Sequence, residues 1–214
     1  MILAISPEQF TLPPGSEITL RYQTWDDYET LLESRGDNAA IKISFDAYTQ
    51  EISIMAPMAG HGRRIDVLSD LVKALLKHQR RDYDGAHPIT FKRPKRAGAE
   101  PDVSFYIQNW KRVSGKERID LKVDPPPDLA IEVDLTSFTS LNVYRVLSVP
   151  EFWIYKPNVL SIYVLTNGDY EERAVSPTFP DFDVQSIFPD YVERGLRTCS
   201  SMAVREFEDS LRSQ

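Results

Sequence analysis

The sequence predicts a single α/β domain, a mixed β-sheet flanked by helices, and three observations carry that expectation. One stretch, 62–79, is a long amphipathic helix, with Ile65, Leu68, Leu71, Val72, Leu75 and Leu76 recurring at helical spacing. Short apolar or alternating runs at 87–93, 102–107 and 129–135 are each bounded by Pro or Gly and read as strands. The order is the third: a long helix precedes these strands and a short helix, 140–148, follows the central one, which is the pattern of an α/β core.

The remaining elements follow in chain order. Residues 1–23, with Pro7, Pro13 and Pro14, read as an extended arm. Thr24 before Trp25-Asp26-Asp27-Tyr28 is an N-cap with acids in the first turn, opening a short helix that ends near 34–37. Strands at 42–45 and 51–55 around the turn 46–50 form a hairpin. The helix at 140–148 is stopped by Val149-Pro150. Strands at 152–155, 160–165 and 170–174 follow, and helices at 186–193 and 201–211 close the chain. There is no internal repeat, low-complexity tract or linker, so residues 1–214 are expected to form one domain.

Composition excludes several classes. The N-terminus has no basic segment followed by an apolar run, so it is not a signal peptide, and no window approaches a membrane span. Cys199 is the only cysteine, which rules out an internal disulfide and a multi-cysteine zinc site. The expected compartment is the cytoplasm. Net charge is −7, yet the segment from His61 to Arg96 holds ten Lys/Arg against four acids. That local excess, which includes Lys92, Arg93, Lys95 and Arg96, is either a solvated face or a track for a phosphate backbone.

Two acids stand in strand-like runs. Glu100-Pro101-Asp102 opens one strand, and Glu132-Val133-Asp134 ends the apolar run Leu129-Ala130-Ile131. A carboxylate inside a buried strand is costly unless paired or bound to a cation. Either Asp102 caps a turn and Glu132 pairs with an arginine, or adjacent strands bring both to one hard cation such as Mg²⁺ or Mn²⁺.

Asp102 with Glu132-Val133-Asp134 resembles the PD-(D/E)xK nuclease signature. More closely, the chain is similar to the Uma-two family of restriction-endonuclease-like proteins. The resemblance rests on Trp25-Asp26-Asp27-Tyr28, Ile52 to Met58, His61, Glu100-Pro101-Asp102, Asp124 to Asp128, Glu132-Val133-Asp134 and Val149-Pro150-Glu151-Phe152-Trp153. It implies a restriction-endonuclease-like fold and Mg²⁺-dependent cleavage of DNA. Asp102 and Glu132 are then the metal ligands, with Asp134 and His61 further members of the catalytic group. Glu100, on the same strand face as Asp102, is either an accessory ligand or outside the site. A cut through both strands of a duplex would call for a two-fold homodimer.

The sequence departs from the family at the lysine. Asp134 stands where acid-x-Lys has its lysine, and 135–155 contains none; Asn142 is nearest the expected place and Arg145 is the sole cation. The reading therefore divides between an endonuclease whose cation comes from elsewhere, Lys92 or Lys95 being candidates, and an impaired nuclease fold that binds nucleic acid or a protein partner.

Overall fold

The computed structural model describes residues 11–36, 41–86, 89–135 and 139–212. Residues 1–10 of the expected arm, and the first two of the strand expected at 87–93, lie outside them. Two sheets share the chain.

The first is antiparallel, in the order β1 (Glu17–Arg21), β3 (Glu51–Met55), β2 (Lys42–Asp46), β6 (Ala97–Ala99) and β5 (Phe91–Arg93). The expected hairpin is β2–β3, and the end of the expected arm is β1, whose Ile18 and Leu20 pair opposite Ile54 and Ile52. Helix α1 (Trp25–Arg35) opens with a capping box between Thr24 and Asp27, which satisfies two otherwise orphaned N–H groups. It lays Tyr28, Leu31 and Leu32 over Ile43, Phe45, Ile52 and Ile54. The Tyr28 ring stacks on Phe45 and lies so close over Gly98 that a Cβ there would stand 2.3 Å from the phenol oxygen. That explains the glycine at the centre of β6, Ala97-Gly98-Ala99, whose alanines pack on the opposite side; with no β-branched or aromatic residue, the strand goes unnoticed in the sequence.

The second sheet is mixed: β11 (Asp169–Arg173), β10 (Val159–Thr166), β9 (Glu151–Lys156), β8 (Leu129–Val133), β7 (Val103–Tyr106) and β4 (Asp84–Gly85). Its one parallel pair, β8–β9, is joined through α4 (Leu141–Leu147), as a parallel connection requires a crossover. On one face, α2 (Ala59–His78), α5 (Val184–Arg197) and α6 (Ser200–Arg212) bury Leu68, Leu71 and Leu75 with Trp153, Phe188 and Phe207. On the other, α4 and the β5–β6 hairpin enclose Tyr106, Ala130, Tyr144 and Phe152. A one-turn helix, α3 (Trp110–Val113), completes the set. Among the described residues no helix is long and apolar enough to cross a membrane.

Candidate active site

The site forms where the two sheets meet. Strand β7 runs antiparallel to β8 with Val103 opposite Ile131, so Asp102, just before β7, arrives beside Glu132, near the end of β8. The backbone locks them together. The Val133 N–H donates to Asp102 Oδ2 at 2.8 Å, and the Asp102 N–H donates to Glu132 Oε2 at 3.3 Å. Both acids are buried, as adjacent strand acids must be when their remaining oxygens face inward.

A cation joins them, and it comes from neither of their strands. Lys42, the first residue of β2, donates from Nζ to Asp102 Oδ1 at 2.7 Å and to Glu132 Oε2 at 2.9 Å. The two carboxylates therefore converge on one point. Tyr144 of α4 donates its hydroxyl to Glu132 Oε1. His61, in the first turn of α2, sets Nε2 3.1 Å from Asp102 Oδ2, an approach too oblique for a regular hydrogen bond, and its buried Nδ1 has no partner among the described residues.

Charge is divided unequally across the group. Burial pushes the Glu132 carboxyl well above the usual range; Lys42 opposes this and the Asp102 charge adds to it. Burial also works against ionised Asp102, but Lys42, His61 and Glu132 together hold its carboxyl well below the usual range. Lys42 loses favour by burial and regains more from Glu132 and Asp102, so its ammonium is held above the ordinary lysine range. The Tyr144 phenol is raised by burial and by Glu132, and stays a donor.

Two cavities border the cluster, and Lys42 lines both. One, of about 90 Å³, lies on the Glu132, Asp134 and Tyr144 side. The other, of about 460 Å³, lies on the His61 and Asp102 side, walled by Pro57, Met58 and Ile65. Two hard carboxylate oxygens aimed at one point beside open space suit Mg²⁺ or Mn²⁺, which commonly take one or two carboxylates and fill the rest with water and substrate oxygens. Among the described residues no group of three or more His, Cys, Asp and Glu forms a fuller cage.

Of the residues singled out in the sequence, Asp102, Glu132 and His61 are brought together. Asp134 is not: its carboxylate accepts from Thr139 N and Oγ1 at 3.0 and 2.6 Å, tying the end of β8 to the residue before α4's N-cap. Glu100 lies outside the cluster, held by both Arg35 terminal nitrogens at 2.7 Å and by Thr90. Asn142 turns away from Glu132 and donates to both oxygens of Asp46 at 2.8 Å. Lys92 pairs with Glu29 at 2.9 Å and Arg93 donates to the Leu121 carbonyl, while Lys95 and Arg96 are exposed at the β5–β6 turn. Because Ala97 lies opposite Asp46, that turn is at the far end of β2 from Lys42, roughly 13 Å along the strand. Lys42 and Tyr144 are the members that sequence reasoning missed. Lys42 had a faint signal as a lysine opening a strand that is otherwise half-buried.

The fold and the family can now be compared with known proteins. A crystal structure described as "a putative nuclease belonging to DUF820", from Anabaena variabilis ATCC 29413, matches with TM-score 0.53 at 14% identity, over 79% of this chain and 98% of that one. At that identity the likeness establishes the fold, which is restriction-endonuclease-like. No curated protein matches the sequence. The model of the family described as "Putative restriction endonuclease" matches residues 25–198, from the start of α1 to the end of α5, and the chain belongs to that family, Uma2.

Proposed function

We propose that this protein is a divalent-cation-dependent endonuclease that hydrolyses phosphodiester bonds in DNA. The observation that carries the reading is the convergence of the Asp102 and Glu132 carboxylates on one cationic point beside a 460 Å³ cavity. In the reaction water adds to phosphorus and one P–O ester bond breaks, leaving a phosphate monoester and a hydroxyl. Asp102 and Glu132 would hold a Mg²⁺ or Mn²⁺ ion, which when bound would supply Lewis-acid polarisation of the phosphate and a water acidified toward neutrality.

The chain's own groups do the rest. The Val133 N–H fixes the orientation of Asp102, beside which His61 lies at 3.1 Å, and the Tyr144 hydroxyl fixes that of Glu132. Such outer partners hold ligands in one geometry and typically contribute ~10- to 100-fold in metal affinity or activity. Lys95 and Arg96, exposed at the β5–β6 turn, are among the cations that can meet a more distant phosphate. Lys95 occupies the left-handed position of its turn (φ 62), where Gly or Asn is usual, so an exposed cation is kept there against local preference.

An impaired nuclease fold remains the competing reading, and Asp134 at the expected lysine position is what favours it. Calorimetric titration with Mn²⁺ and a plasmid-cleavage assay decide between them. Asp102-dependent Mn²⁺ binding with metal-dependent cleavage is expected. Binding without cleavage would give the impaired reading, and no Asp102-dependent binding would remove the metal-dependent one.

A further inference from the structure

The nitrogen that joins Asp102 and Glu132 occupies the one place where their oxygens converge, so it stands where a shared divalent ion would stand. Two features make it exchangeable. The Lys42 side chain is one-fifth exposed, whereas that of Asp102 is nearly sealed. It also lines both cavities, so open space adjoins its flexible stem on either side of the cluster. The acids cannot follow the ammonium, because Val133 N–H, Asp102 N–H and Tyr144 hold them in place.

We propose that Lys42 is both the resident counter-ion of this site and its third working group: it holds the paired carboxylates while no divalent ion is bound, yields that point to the ion, and then faces the phosphate from the adjoining cavity. The proposal rests on the nuclease reading and adds to it a residue, an order of events and an antagonism. Buried acids left with no cation repel each other, and a tethered ammonium keeps them poised. The same ammonium competes with the metal. Once displaced it remains attached to the start of β2, beside the cavity in which a phosphate would lie, where a compact point charge stabilises developing negative charge on oxygen.

The antagonism gives effects of opposite sign. Lys42→Met removes the competitor, so Mn²⁺ should bind about tenfold more tightly, the weight of one charge-assisted hydrogen bond. Plasmid cleavage by the same variant should fall about a hundredfold or more. A Lys42 that only props the site open would make both quantities fall together, and that result overturns the proposal. So does undiminished cleavage by Lys42→Met where the wild type binds Mn²⁺ and cuts, an outcome that leaves the nuclease reading standing. Failure of the wild type to bind Mn²⁺ at all would overturn the nuclease reading, and this proposal with it. Should Lys42→Met fail to fold, nitrogen-15 NMR of the wild-type lysine ammonium groups serves instead. The Lys42 signal should shift on saturation with Mg²⁺, and an unmoved signal in a protein that binds the ion refutes the exchange.

Discussion

Glu132 and Glu151 sit at opposite ends of the same parallel strand pair, Glu132 opposite Ile154 and Glu151 opposite Leu129, and both are buried. Their partners differ in kind. Glu151 accepts from Trp153 Nε1 at 2.7 Å, Ser176 Oγ at 2.6 Å, and Thr178 N and Oγ1 at 2.9 and 2.5 Å. Those four donors are neutral and fixed by the local backbone, and they fill the carboxylate. Glu132 instead leans on a tyrosine hydroxyl, on a long bond from the Asp102 N–H, and on a lysine that it shares with Asp102. A carboxylate saturated by rigid neutral donors has nothing left to bind, whereas one balanced by a movable cation can exchange it. Ligand sites in α/β sheets gather at the carboxyl ends of parallel strands, and Glu132 is at that end.

That contrast can be broken at several points. The largest effect should come from Asp102→Ala, which removes half of the converging pair: metal-dependent plasmid cleavage should drop ~10³-fold or more, since the water-activating ion loses its seat. Next, Glu151→Ala leaves its donors without an acceptor and should cost ~2–4 kcal/mol in urea unfolding, while cleavage per folded molecule is unchanged. Lost activity in a stable Glu151→Ala protein would show that the two acids are not separate in role.

Proton linkage sharpens the comparison further. The Glu132 carboxyl is raised above its ordinary value by burial, so over the interval between the ordinary and raised values it holds a proton that a metal must expel. Mn²⁺ affinity should therefore climb with pH through that interval, by up to about tenfold per pH unit for one proton released. Calorimetry in buffers of different ionisation heat would register the released proton, and a pH-independent affinity would contradict it. The smallest effect belongs to the β5–β6 turn. Replacing Lys95 and Arg96 by Ser should flatten the salt dependence of DNA binding by ~1–2 in log–log slope and leave Mn²⁺ affinity alone.

The sequence disclosed what local pattern encodes. Apolar periodicity marked α2, and acids interrupting apolar strands marked Asp102 and Glu132, because a buried charge is conspicuous in such a run. The lysine was sought near Glu132 in the chain, at Asn142, or in the basic segment, at Lys92 and Lys95. Asn142 is occupied with Asp46 and Lys92 with Glu29. Lys42 stayed hidden because its role depends on how β2 docks against β7 and β8, a relation between sheets that no window of sequence contains. Nothing local marks Tyr144 within the helix expected at 140–148, and only the fold shows its hydroxyl on a carboxylate. Strand β6 was invisible for a third reason: its central Gly98 answers to the Tyr28 ring above it and not to strand propensity.

The origin of the cation has a consequence for synthesis. Lys42 is 60 residues from Asp102 and 90 from Glu132 along the chain. Contacts over such separations form late in folding, after local helices and hairpins, because the intervening chain must first be ordered. A ribosome releases the hairpin bearing Lys42 well before it releases Glu132, at a pace of ~5–20 residues per second. No nascent fragment short of Glu132 holds all three groups, and a collapsed chain whose sheets have not docked lacks the junction between them. The arrangement acts as an interlock, withholding the Lys42–Asp102–Glu132 centre until the tertiary structure is complete.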